Sequence, residues 1–138
     1  MSAFTSANIG KILSLQPDLV LTFSDLQADI VADLLRRGIE VHALNQRTVA
    51  GILDMIRMVG AMVAASERAE NLVGALETRL AEVQRRSEYL PKQPRVFFAE
   101  WDDPLISGIG WVSELIEIAG GIDIFADRRT KAPPRSAL

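Results

Sequence analysis

Residues 66–90 contain no proline, a single glycine (Gly74) and an apolar stripe of Ala69, Leu72, Val73, Leu76, Leu80 and Val83. That spacing predicts one continuous helix, roughly 35 Å long at 1.5 Å per residue. The other face carries Glu67, Arg68, Glu70, Glu77, Arg79, Glu82, Arg85 and Arg86, as a solvated helix surface would. Pro91 stops the helix, because the residue before a proline is pushed out of the helical region. A helix this long exceeds what a routine crossover between neighbouring strands needs. The chain is therefore expected to have structured parts before and after a rigid connector.

Before it, short apolar runs alternate with helical patterns. Asn8 caps a short helix with Ile9, Ile12 and Leu13 inward, and Pro17 closes it. Residues 19–23 (Leu-Val-Leu-Thr-Phe) form a continuous apolar run of strand length, which suits a strand covered on both faces of a parallel sheet. Asp25 is read as the cap of a helix with Leu26, Ile30, Leu34 and Leu35 inward, and Gly38 supplies its left-handed stop. A second strand, Val41 to Leu44, is followed by a helix capped by Thr48, with Val49, Ile52, Leu53, Ile56, Val59 and Val63 inward. Strand–helix–strand–helix at this spacing predicts βα units with parallel strands. After the connector come a strand at 95–99, a polar segment at 100–104, and a helix at 111–119 closed by Gly120-Gly121. Residues 128–138 carry two prolines and no apolar period, and are expected to be a disordered tail.

Composition excludes several functions. A net charge of −3, with no Lys/Arg run longer than two, argues against nucleic acid. The absence of cysteine removes disulfides, thiolate metal sites and cysteine nucleophiles. No apolar run approaches the roughly 20 residues that cross a bilayer. Residues 1–6 lack the basic-then-apolar pattern of a secretory leader, so the chain as it stands is expected to be cytoplasmic. His42 sits inside an apolar strand with no ligand-spaced neighbour. Adjacent Asp102 and Asp103 lie before a proline and suit a turn better than an acid–base pair. Gly108-Ile109-Gly110 lacks the third glycine of a dinucleotide fingerprint. Ser107 has no base beside it. Met55, Met58 and Met62 read as core filling, and Trp111, with Leu115 one turn on, as core. The chain is expected not to be an enzyme.

In parallel α/β layers, ligands gather where strands end, because loops and helix N-termini converge there. Three such ends are Phe23-Ser24-Asp25, Asn45-Gln46-Arg47 and Glu100-Trp101-Asp102.

Several ordered segments carry a resemblance. Residues 11–21, KILSLQPDLVL, resemble an "I-L-x-L-x-P-D-L-V" stretch of class III (helical-backbone) periplasmic substrate-binding proteins of ABC importers. Gly38-Ile39-Glu40-Val41 is similar to their "G-I-x-V" strand, and residues 48–60 to the helix that follows. Residues 66–90 resemble the connector between their two lobes. Residues 100–105 and 111–121 resemble the first strand–loop–helix of the second lobe. The cobalamin and iron-siderophore branch is the most similar in pattern. The resemblance implies an α/β fold of three-layer βα units with parallel strands. Residues 1–65 would be a partial first lobe, 66–90 the spanning helix, 91–127 the start of the second lobe and 128–138 the tail. It covers only the middle half of such a protein.

The resemblance further implies a periplasmic location, an ABC permease partner and a bound corrinoid, siderophore or haem-like ligand, with no catalytic cofactor or metal. The ligand would lie between lobes, with Phe23 and Trp101 offering flat faces. Ser24, Asn45, Gln46, Glu100 and Asp102 would be its polar contacts, and Asp29 would grip a permease arginine. An alternative reading is an interaction module without a small ligand. It would self-associate to cover an incomplete lobe by exchanging C-terminal strand–helix units.

Overall fold

The computed structural model describes residues 6–103 and 105–126. The chain forms two compact units, Met1–Gln46 and Arg47–Leu138. The boundary falls ahead of the third helix, which the sequence pattern had grouped with the first lobe.

In the first unit, α1 (Ile9–Ser14) starts where Asn8 Oδ1 accepts the Lys11 amide at 2.9 Å. Strands β1 (Val20–Phe23) and β2 (Val41–Leu44) pair in parallel, with Val20 opposite Val41 and Phe23 opposite Leu44. Between them lie a 3₁₀ turn, Asp25–Gln27, and α2 (Ala28–Arg36). The expected cap shifts by one residue. Ser24, not Asp25, caps the 3₁₀ turn, and α2 starts three residues later with no side-chain cap. α2 ends in a Schellman motif. The Ile39 amide donates to the Leu34 carbonyl (3.1 Å) and the Gly38 amide to that of Leu35 (3.0 Å), with Gly38 at φ 77°.

Leu34 is fully buried under α2, and Thr22 is buried on β1. The flanking Leu21 and Phe23 are 43% and 42% exposed, so the run expected to be covered on both faces alternates instead. A strand pair with one helical layer buries every second side chain only. The Thr22 hydroxyl is buried without a hydrogen-bond partner among the described residues.

The second unit begins with α3 (Val49–Met62) and α4 (Ser66–Ser87), two packed helices joined by a tight turn. Thr48 caps α3 as expected, its Oγ1 accepting the Gly51 amide at 3.0 Å. Ala64, at φ 55°, reverses the chain. α4 is a single unbroken helix of 22 residues, or about 33 Å. It stops at Ser87, short of residue 90, where 3₁₀-type bonds from Tyr89 to Arg86 and from Leu90 to Ser87 tighten the chain ahead of Pro91.

Gly60 of α3 lies where a Cβ would come within 2.3 Å of the Ala69 Cβ of α4. Its missing side chain is what lets the two backbones approach. Arg57 ties the same helices on their exposed side, reaching Asp54 (3.3 Å), Glu70 (3.2 Å) and Glu77 (3.0 Å). The hydrogen bonds it donates to the Glu77 and Glu70 carboxylates raise its pKa above the usual guanidinium value.

The strand expected at 95–99 is broken in two. β3 (Arg95–Val96) pairs in parallel with β6 (Ile122–Asp123), a strand the pattern had not suggested. β4 (Ala99–Asp102) pairs antiparallel with β5 (Leu105–Ser107), so the expected polar loop at 100–104 is largely hairpin. Trp101 lies opposite Ile106 and Ala99 opposite Ser107, with a register shift between Ala99 and Trp101, and Asp103 begins the turn. α5 (Gly110–Ile118) buries Val112 and Ser113. Leu53, Ala69, Val73 and Val112 form the core of this unit.

Candidate functional site

In the first unit, β1 and β2 end side by side, and the Ser24 amide extends their ladder by donating to the Leu44 carbonyl at 2.6 Å. Ser24 adopts φ 63°, ψ 153°, a conformation that nearly always requires glycine. Its surroundings hold it there. Its Oγ accepts the Leu26 amide (3.4 Å) and donates to Asp25 Oδ1 (2.9 Å), while its carbonyl accepts the Gln27 amide (3.3 Å). Such strain concentrates where a loop must hold a particular shape.

Ser24 and Asn45 line one open groove of about 290 Å³ with Asp25, Ala28, Val31, Ala32, Leu35 and Ala43. Two of the expected contact residues are thus brought together, with polar groups at the strand ends and apolar walls along α2. Phe23 sits beside them with its ring partly exposed, and its amide donates to Gln27 Oε1 at 3.0 Å. Gln46 is half-buried just beyond Asn45. Asp29 stands exposed in the first turn of α2, where a carboxylate complements the helix dipole.

In the second unit, Glu100, Trp101 and Asp102 are carried on β4, where Trp101 pairs with Ile106 and Asp102 with Leu105. Trp101 is 60% exposed, and its indole Nε1 donates to the Asp103 carbonyl at 2.9 Å. The one polar atom of the ring is therefore satisfied by its own hairpin, leaving the ring surface open. Glu100 is exposed beside it. Phe98 and Ile106 add apolar surface, and Phe97 packs edge-on against Phe125 with ring centres 5.6 Å apart.

Two polar contacts organise this unit and were not signalled in the sequence. Glu114 of α5 accepts the Val49 amide at 2.7 Å, placing a carboxylate on the N-terminus of α3. The buried Ser113 hydroxyl donates to Asp123, whose other oxygen accepts the Phe125 amide at 2.9 Å. The first joins residues 65 apart, a separation no local pattern encodes. The glycines of Gly108-Ile109-Gly110 have a packing role. A Cβ on Gly108 would meet Val112 at 2.7 Å, and one on Gly110 the Arg47 carbonyl at 2.6 Å. Among the described residues no three His, Asp or Glu side chains gather in a metal-sized cluster. No described helix is long and apolar enough to cross a membrane.

Parallel βα pairing followed by a long helix defines an α/β fold. The chain belongs to the periplasmic binding protein family, whose model matches residues 1–137. It is 29% identical over 130 residues to the vitamin B12-binding protein of Vibrio cholerae, covering 91% of this chain and 46% of that protein. It is 26% identical over 132 residues to an uncharacterized ABC transporter substrate-binding lipoprotein, YvrC, of Bacillus subtilis, covering 89% and 42%. The crystal structure of the periplasmic vitamin B12-binding protein BtuF of V. cholerae superposes with a TM-score of 0.74 at 26% identity, over 95% of this chain and 51% of that one. A Listeria monocytogenes ABC transporter substrate-binding protein gives 0.74 at 23% identity, covering 91% and 48%. The chain therefore has the fold of part of a class III binding protein, and spans about half the length of the curated relatives it matches.

Proposed function

We propose that this chain is a ligand-binding portion of the substrate-binding component of an ABC importer, and that its ligand is a large, flat metal chelate of the cobalamin, haem or iron-siderophore type. The observation that carries this reading is the presentation of Trp101. A tryptophan 60% exposed, its N–H satisfied within its own hairpin, is a rigid apolar surface suited to a macrocycle. The groups proposed to face a ligand are, within the first unit, Phe23, Ser24, Asn45 and Gln46 at the ends of β1 and β2 and, within the second, Glu100, Trp101 and Asp102 on β4. The amide and hydroxyl groups suit the peripheral amides of a corrin or the polar arms of a siderophore. Similarity to a vitamin B12-binding protein supports the same ligand class. The implied partner is a membrane permease, and the implied location is the outer face of the cytoplasmic membrane, as a periplasmic or lipid-anchored protein.

Tryptophan fluorescence tests the ligand class. The chain has two tryptophans, so Trp101→Phe and Trp111→Phe isolate each signal. Saturable quenching by cyanocobalamin, haemin or a ferric siderophore is expected in wild type and in Trp111→Phe. Quenching that is non-saturable, or identical in Trp101→Phe after correction for ligand absorbance, would reject Trp101 as a ligand platform.

A further inference from the structure

Helix α2 carries two apolar faces. One holds Leu34, which is fully buried. The other consists of Ala28, Val31, Ala32 and Leu35, at i, i+3, i+4 and i+7, and forms a wall of the open groove, with Leu35 54% exposed. A helix in so small a unit needs one apolar face for its own sheet; a second is left to pack against another helix. The two alanines keep this stripe shallow, so another helix can approach closely.

The flanking charges indicate which helix. Asp29 and Arg36 are seven residues apart and lie on the same side of the stripe, near opposite ends of α2. Both are exposed, and neither has an ion-pair partner among the described residues. Arg37, by contrast, is already bonded to Asp33 at 3.1 Å. Two antiparallel copies of α2 related by a two-fold axis midway along the helix bring Asp29 of each opposite Arg36 of the other, on the same flank. A parallel two-fold pair would instead put the charged flanks of the two copies on opposite sides of the interface, where no Asp29–Arg36 pair forms. The stripe is thus complementary to itself in one orientation only.

We propose that the outer face of α2 is a self-association surface, through which two copies of this chain pair antiparallel along Ala28, Val31, Ala32 and Leu35, with Asp29 and Arg36 fixing the direction. This assigns the free Asp29 carboxylate to a second copy rather than to a permease. The face walls the groove that Ser24 and Asn45 also line, and its test reads the oligomeric state rather than ligand binding, so failure of one reading is distinguishable from failure of the other.

Sedimentation equilibrium of the full chain, alongside circular dichroism to confirm folding, tests the proposal. Wild type is expected to show a monomer–dimer equilibrium, and Ala32→Glu to be folded and monomeric. Asp29→Arg or Arg36→Asp alone creates two like-charge pairs by symmetry and should weaken the dimer about tenfold, more at low salt. The double reversal, Asp29→Arg with Arg36→Asp, should restore it, which a merely structural role for either residue would not do. A wild-type chain that remains monomeric at every concentration overturns the proposal. So does a dimer indifferent to Ala32→Glu, or a double reversal no stronger than the singles.

Discussion

Adding the same methyl group to two glycines of the helical pair should have opposite effects. At Gly60 a Cβ would fall 2.3 Å from the Ala69 Cβ and 3.3 Å from the Ala65 carbonyl oxygen. Carbon atoms pack at about 3.5–4.0 Å, so α3 and α4 would have to separate by at least about 1 Å at their closest point. Neither obstacle is a flexible side-chain end. Overpacking of this kind costs about 1–3 kcal/mol, against about 1 kcal/mol recovered from alanine's better helix propensity. Separation would also loosen contacts around buried Val73, so Gly60→Ala is expected to lower stability by about 1–2 kcal/mol. At Gly74, in mid-α4, nothing lies within 4 Å of the added atom. Only propensity acts there, and Gly74→Ala should raise stability by about 0.5–1 kcal/mol. Urea unfolding followed by circular dichroism at 222 nm measures both. Equal shifts for the two variants, or stabilisation at Gly60, would refute the close approach of α3 and α4.

Thr22→Val removes a buried hydroxyl without a partner while keeping the β-branched shape, and should raise the unfolding midpoint, by about 1 kcal/mol in stability. Glu114→Gln keeps the size but weakens the charged bond to the Val49 amide, and should cost about 1 kcal/mol by urea unfolding; no loss would mean that the carboxylate does not stabilise the α3 N-terminus. Arg57→Met breaks the exposed links to Glu70 and Glu77, so it should lower the thermal midpoint at low ionic strength and progressively less as salt is added.

Much of the fold was legible because the relevant signals are local. Asn8 and Thr48 caps, the Gly38 stop and the unbroken run of α4 are each set within a few residues, and each stands where the pattern placed it. The similarity to class III binding proteins was also legible in residues 11–21 and 38–41. What escaped depends on contacts distant in sequence. Leu21 and Phe23 look like a doubly covered strand until the number of layers is known. β6 is two residues long and exists through its pairing with β3. The hairpin at 99–107 was hidden by its charged residues, which lie in an exposed ribbon where strand composition is a weak guide. Of the candidate site, the ends of β1 and β2 could be read from the parallel pattern, whereas the third expected end, at 100–102, lies within the antiparallel strand β4. The strained Ser24 backbone and the internal bond of the Trp101 indole could not be read, because both are products of tertiary geometry. The tail expected at 128–138 lies outside the described residues.

Isothermal titration of the wild-type chain and of Trp101→Ala with cyanocobalamin, haemin and a ferric siderophore tests the ligand-binding role most directly. One of the three should bind wild type with one-to-one stoichiometry, and Trp101→Ala should weaken that binding at least about tenfold, as loss of a large aromatic contact does. No binding of any of the three, or binding unchanged by the substitution, would contradict the account.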